Sequence, residues 1–483
     1  MEYKWTVLSN TTLGTLMSSL DTNIVLISLP TIARELPQTS VLDLLWILMG
    51  YTLLTAAVLV NFGRLSDMFG RVRLYTFGFA AFTVGSALCS LSQNGPELIG
   101  FRLVQGVGAA FLFSNSGAII TDAFPENERG MALGINQVAI VAGSVSGLVL
   151  GGVLTYAFGW RSIFYVNIPI GIIATLWAHR NLKELAVIKR GQRIDVIGNI
   201  TFAGSISLIL AGITFYATGS SDLRPVLAML AGGIAIFLGF VYYEMRIDHP
   251  MFDLKLFKIR LFAAGNIAIF MNALARGAVT FVLVFYLQGP TMRLNPFEAG
   301  LFLVPTSISL SFFGPISGWF SDKYGARVIT TIGLVVSAIG FILLARLGQT
   351  TTFRELLIPL IFVGSGMGIF ASPNRASIMN STPPPERGIA SGMSSTLVNV
   401  GSIFSMGMAF YVMSLTVPMT DLAGIFLGTT HGTTVGPWVN DFINSIHYLF
   451  FISVAVLLVA IVPSVLRGKK QSWLDAVPEG TSK

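Results

Sequence analysis

Apolar residues fill this chain in runs of about twenty, divided by short polar stretches. Fourteen runs can be marked: 6–30, 43–62, 74–92, 96–121, 130–157, 162–179, 195–217, 225–243, 261–289, 297–320, 328–347, 355–380, 388–415 and 444–466. Crossing a hydrocarbon core of about 30 Å takes about 20 helical residues, so each run suits one passage. Backbone groups inside lipid must be paired within the segment, and the runs lack the polar alternation of barrel strands. The pattern predicts an all-α membrane protein with fourteen transmembrane helices. The 50 glycines suit close helix packing through small residues.

Composition removes the soluble alternative. Charged residues are 11% of the 483, against roughly 25% in an ordinary soluble domain. Apolar residues are 53%, and mean hydropathy is +0.74. The one cysteine, Cys89, excludes an internal disulfide and a cysteine-based metal cluster. The four histidines, at 179, 249, 431 and 447, include none mid-run, so no metal site is expected. Basic residues in the loops set the orientation. With the amino terminus in the cytoplasm, 21 of the 30 Lys and Arg fall inside, 6 outside, and Arg102, Arg276 and Arg375 within runs. Both termini are therefore expected to be cytoplasmic. The net charge of +7 is accounted for by this bias, without a nucleic-acid partner.

The chain also repeats itself. GRLSDMFGRVR at 63–73 has a partner in GWFSDKYGARV at 318–328, at an offset of 255. ERG at 128–130 and Gly143-Ser144 recur at 386–388 and 401–402, at an offset of 258. The first six and last six runs are thus two copies of one unit. Each copy crosses the membrane an even number of times, so the copies run parallel. The expected division is a six-helix bundle at 1–180, linkers with inserted helices 7 and 8 at 181–260, a second bundle at 261–466 and a tail at 467–483. Secondary transporters are built from such repeats, with substrate bound at mid-depth.

GRLSDMFGRVR resembles the signature loop between helices 2 and 3 of the major facilitator superfamily. LDTNIVLISLP (20–30), Trp46 to Tyr51, RLVQGVGAA (102–110) and WRSIFYVNIPIG (160–171) are similar to its fourteen-span drug/proton antiporter branch. There are departures: Leu148 stands where the fifth-span glycine motif usually has proline, Ala326 opposes Arg71, and Asn23 replaces a common threonine. The resemblance implies the major facilitator fold and a latch built from Gly63, Asp67, Gly70, Arg71 and Arg73, with Asp322 in the second copy. A solvated loop that only fixes topology is the plainer alternative. Asp67 is placed to cap a helix of the opposite half or to pair with Arg71 or Arg73. Gly143, Gly147 and Gly151 share one face, with Gly152 beside them, and permit tight packing. In the family such a face is a sliding seam.

Charge inside the membrane singles out a site. Of 23 acidic residues, only Asp21 lies deep in a run. An ionised carboxylate at that depth costs at least about 2.5 kcal/mol. A carboxyl balanced between that cost and a nearby cation can take up and release a proton; otherwise it is a fixed structural aspartate near Asn23. Arg276 stands 255 positions on, the repeat equivalent, and is expected to face Asp21 as a switchable partner or a fixed ion pair. The resemblance links Arg102 to proton transfer, with a side chain snorkelling to the headgroups as the alternative. Arg375 is expected to snorkel. Asn115, Asn136, Gln137, Asn272 and Asn399 are expected to face a cavity or a neighbouring helix. Trp46, Tyr51, Phe281 and Phe285 are candidate cavity walls, or packing.

The function expected is proton-coupled efflux of small amphipathic compounds across the cell membrane by alternating access, by a protein acting as a monomer. An importer or uniporter on the same fold is the alternative. No phosphate-binding G-x-x-x-x-G-K-[ST] loop occurs, so direct ATP drive is not expected, and neither a catalytic centre nor a cofactor is. One deep acid against up to three basic residues within runs leans the cargo away from cations. The Gly/Thr-rich stretch 416–443 is assigned no role.

Overall fold

The computed structural model describes residues 2–185, 194–218, 222–349, 351–383, 386–427 and 437–468. Every regular element among them is helical: α1 (Tyr3–Glu35), α2 (Val41–Phe69), α3 (Arg71–Leu91), α4 (Gly95–Ala123), α5 (Glu126–Phe158), α6 (Ser162–Tyr165), α7 (Asn167–Asn181), α8 (Val196–Ala217), α9 (Leu223–Glu244), α10 (Arg260–Arg276), α11 (Val279–Gln288), α12 (Pro296–Tyr324), α13 (Ala326–Leu344), α14 (Phe353–Asn380), α15 (Arg387–Thr416), α16 (Met419–Leu427) and α17 (Pro437–Leu466). With α6 joined to α7 and α10 to α11, fourteen helices among the described residues are long and apolar enough to cross a membrane. The fourteen runs are thus fourteen helices. The sixth is interrupted near Val166, and the ninth after Arg276. The stretch 416–443, between the last two apolar runs, contains a short helix, α16, that the pattern of runs does not predict.

Local chemistry sets several helix ends. Ser40 and Asp43 form a capping box on α2, and Thr352 and Glu355 form another on α14. Asn94 caps α4 by accepting from the Glu97 amide at 2.9 Å. Asn94 and Glu97 are the repeat equivalents of Thr352 and Glu355, so the two copies begin this helix with the same device. Gly70 and Gly325 end α2 and α12 at φ of +105° and +85°, a left-handed conformation that side chains resist.

The described residues group into two compact units. One comprises those within Met1–Phe237, Leu283–Val304 and Met419–Val435; the other comprises those within Leu238–Val282, Pro305–Pro418 and Gly436–Lys483. In the first, α3 and α4 cross at Gly78 and Gly108, where an added Cβ would stand 3.1 and 2.7 Å from the other glycine's carbonyl oxygen. In the second, α13 and α14 cross at Gly333 and Gly366, with corresponding distances of 2.8 and 2.7 Å. The offsets between these pairs are again 255 and 258. The repeat read in the loops extends into the helix crossings. Large apolar side chains left exposed, such as Leu227, Ile234 and Leu238 on α9, are suited to lipid.

Candidate functional site: a buried carboxylate network in the first unit

The first helix is unusually polar on its buried side. Asn10, Thr11, Thr15, Ser18, Ser19, Asp21 and Ser28 of α1 are all buried. Serine and threonine hydroxyls close on their own helix, as when Thr11 donates to Val7 O at 2.9 Å and Ser18 to Gly14 O at 3.0 Å. A carboxylate has no hydrogen to give, so Asp21 must be satisfied by donors from other helices.

Three donors reach it. Arg102 of α4 donates from Nη1 to Asp21 Oδ2 at 2.5 Å. Gln105, one turn later on α4, donates from Nε2 to Oδ1 at 2.7 Å, and Asn167 of α7 donates to the same oxygen at 3.0 Å. The guanidinium is held in turn. Its Nη1 also reaches Gln105 Oε1 at 2.5 Å, its Nε points to Ile47 O at 3.4 Å, and its Cζ lies 4.0 Å from the Tyr51 ring centroid. Gln105 further donates to Ser86 Oγ of α3 at 2.8 Å. Asp21, Ser86, Gln105 and Asn167 are 0% exposed and Arg102 is 1% exposed. Five helices meet in this network: α1, α2, α3, α4 and α7.

These contacts revise one expectation and remove one alternative. The carboxylate's ion partner is Arg102, where Arg276 was expected, and Arg102 is buried, which leaves no place for the alternative of a snorkelling side chain. The offset that pairs 21 with 276 describes equivalent positions, whereas charge pairing follows proximity within a bundle. Removing one member of a buried pair leaves an uncompensated charge, which typically costs about 3–5 kcal/mol.

The glycine face of α5 packs on α1 on both sides of this carboxylate. A Cβ on Gly143 would lie 2.6 Å from Leu16 O, one on Gly147 2.6 Å from Leu20 O, and one on Gly151 2.6 Å from Ile27 Cγ2. Gly152 faces the start of α12, where a Cβ would lie 2.5 Å from Pro296 O. Toward its amino end, α1 meets Asn136 of α5, which accepts from Thr15 at 2.9 Å and Ser116 at 3.3 Å. Gln137, its neighbour, is exposed. Asn115 donates to Phe111 O of its own helix at 2.9 Å. Trp46 is half-buried, and Tyr51 is buried on the guanidinium.

The loop between α2 and α3 forms a second charged group. Arg71 reaches Asp67 at 2.7 Å and bridges both oxygens of Asp122, at the end of α4, at 2.9 Å. Of the partners considered for Asp67, the structure selects Arg71. Glu184 Oε2 accepts from the Val72 amide at 2.9 Å and so caps α3, and a Cβ on Gly70 would stand 2.7 Å from that oxygen. A Cβ on Gly63 meets nothing within 4 Å, and Arg73 is exposed. The Asp322 side chain lies outside the described residues. The two ERG loops have diverged: Glu128 pairs with Lys4 at 2.8 Å, whereas burial and then Asp253 push the Glu386 carboxyl above its usual range, against the pull of Lys255.

In the second unit, Arg276 ends α10 and donates from Nε to Asn272 Oδ1 at 3.2 Å. No carboxylate lies within ion-pair distance of it among the described residues. Asn399 on α15 is half-buried and Arg375 on α14 is exposed. Phe281 and, in the first unit, Phe285 are fully buried, the latter with its ring centroid 4.3 Å from that of Phe426.

Gln105, Ser86, Asn167, Asp122 and Glu184 were not singled out from sequence. Gln105 alone had a readable signal, standing three positions after a buried arginine on the same helix.

Fourteen helices long and apolar enough to cross a membrane, in a chain that repeats itself and with a buried ion pair in its first unit, define a multi-pass membrane protein. The chain belongs to the Major Facilitator Superfamily, whose profile matches residues 11–406. It is 36% identical over 411 residues to the riboflavin transporter RibZ of Clostridioides difficile (strain 630), covering 85% of this chain and 88% of that protein. It is 32% identical over 399 residues to multidrug resistance protein 3 of Bacillus subtilis (strain 168), covering 80% and 75%. Among solved structures, a bacterial homologue of the human lysosomal transporter Spinster has a TM-score of 0.66 at 17% identity, covering 97% of each chain, a likeness of fold alone. The family and these relatives make it a transporter and not an enzyme.

Proposed function

We propose that this transporter exchanges protons for small amphipathic compounds, exporting them across the cell membrane by alternating access. The buried Asp21 network carries the reading. A carboxylate that receives three hydrogen bonds and one full counter-charge is well held when ionised. A proton on Asp21 cancels the counter-charge, frees Arg102 and leaves the two amide donors facing a neutral group. Binding of a proton therefore changes which packing of α1 against α4 and α7 is favoured. The glycine seam lets α1 and α5 shift without side-chain collisions. The Asp67–Arg71–Asp122 group ties the α2–α3 loop to the end of α4 and is taken as the latch.

The termini are cytoplasmic in this reading, and the working halves are residues 1–180 and 261–466, with 181–260 inserted and 467–483 a tail. The protein acts as a monomer. Inverted membrane vesicles test the coupling: an imposed pH gradient, acid inside, should drive uptake of an exported dye, and dissipating the gradient should stop it. Uptake that ignores the gradient would end the proton-exchange reading.

A second reading has a specific support. The relative named for riboflavin makes a vitamin-like, acceptor-rich solute a candidate cargo, moved in either direction. Riboflavin belongs in the same vesicle assay, in both membrane orientations.

A further inference from the structure

The ninth run is not one helix. α10 stops at Arg276 and α11 starts at Val279, although no proline lies between residues 260 and 288. The break is built into the packing. Gly277 sits so close to α15 that a Cβ would lie 2.5 Å from Ser402 Cα. The amide released at Ala278 donates to Ser405 Oγ, buried on α15, at 2.9 Å. A discontinuity supported in this way places two helix ends, and a positive side chain, at the middle of a membrane run.

Two unfilled donors converge at this break. The Arg276 guanidinium, half-buried, has Asn272 Oδ1 as its only hydrogen-bond partner among the described residues, and no acid pairs with it. Asn272 is 4% exposed, and its Nδ2 has no acceptor. The first amides of α11 add positive potential, since opening amides of a helix have no intrahelical acceptor. The other deep arginine is the reverse case. Arg102 is neutralised by Asp21 and stacked on Tyr51. A cation in a membrane run is costly, and one kept without a counter-ion suits a ligand that brings the negative charge.

We propose that the α10–α11 break is a substrate-recognition site for organic carboxylates, with Arg276 holding the carboxylate and Asn272 Nδ2 donating a second hydrogen bond. The inference rests on the transporter reading above and names the cargo class that reading leaves open. It sets the two charges apart in function: Asp21 and Arg102 handle the proton, and Arg276 handles the cargo.

Binding to the purified full-length protein, with no gradient present, separates this claim from the coupling claim. Fluorescein, an anionic xanthene dye, and its cationic relative rhodamine ethyl ester are titrated by fluorescence anisotropy at neutral pH. The wild type should bind fluorescein more tightly than the rhodamine. Arg276→Gln should weaken fluorescein roughly 10- to 100-fold, the loss expected for a charge-assisted pair. Arg276→Lys should retain part of the affinity, because it keeps the charge and loses the fork. Asn272→Leu should weaken fluorescein several-fold. Rhodamine binding retained by Arg276→Gln shows that the variant is folded. If that variant does not fold, the wild type's preference and the Arg276→Lys loss decide. Fluorescein affinity unchanged by Arg276→Gln or Arg276→Lys, or tighter binding of rhodamine by the wild type, would overturn the site. Failure of gradient-driven uptake in vesicles would leave this binding result standing.

Discussion

At the scale of single residues, the chemistry is concentrated where one carboxylate meets three donors. Arg102→Ala should destabilise the protein by about 3–5 kcal/mol, because it strands a buried negative charge. Adding Asp21→Asn to it should recover much of that loss, as both charges are then gone. Thermal unfolding in detergent gives the order: the double variant should melt above Arg102→Ala alone. Gln105→Leu removes one donor and should cost about 1–3 kcal/mol in the same assay. The two charged members of the network were legible in the sequence, since a lone acid and a lone base in apolar runs announce themselves. Their pairing was not. The 255-residue offset points from Asp21 to Arg276, yet symmetry relates backbone positions and does not choose ion partners. Gln105, Ser86 and Asn167 escaped because a polar residue in a run often does no more than bond its own helix, as Asn115 does.

At the scale of helices, small residues decide how closely neighbours approach. Gly147→Leu should block folding or transport, because even a Cβ at this position lies 2.6 Å from Leu20 O. Gly134→Ala, on the same helix with nothing within 4 Å, should be neutral or should stabilise by up to about 1 kcal/mol through helix propensity. Expression level and transport rate of the two variants, measured side by side, test the seam. The sequence displayed this seam through glycine spacing alone, and the departure at Leu148 did not remove it. The interruption of the ninth run was hidden. A break made without proline depends on Ser402 and Ser405, more than a hundred residues away, and no local pattern encodes such a partner. The ends of the other helices were easier, because Ser40 with Asp43 and Thr352 with Glu355 are capping pairs with a fixed spacing.

At the scale of the whole molecule, the duplicated plan was readable and its specialisation was not. Gly78 and Gly108 reappear as Gly333 and Gly366 in the same kind of crossing, so the scaffold is shared. The polar site is not: Arg102 and Gln105 correspond to Leu360 and Val363 in the second copy. The first unit holds a buried ion pair, whereas Arg276 in the second has no carboxylate within ion-pair distance among the described residues. Orientation can be tested with single cysteines, since the native Cys89 is buried. Pro37→Cys should react with an impermeant maleimide from outside intact cells, and Lys258→Cys only after the membrane is opened. The central claim is that Asp21 moves the proton. Asp21→Asn, assayed in inverted vesicles, should abolish gradient-driven accumulation while gradient-free exchange of labelled for unlabelled cargo continues. Accumulation at the wild-type level in that variant would contradict the account.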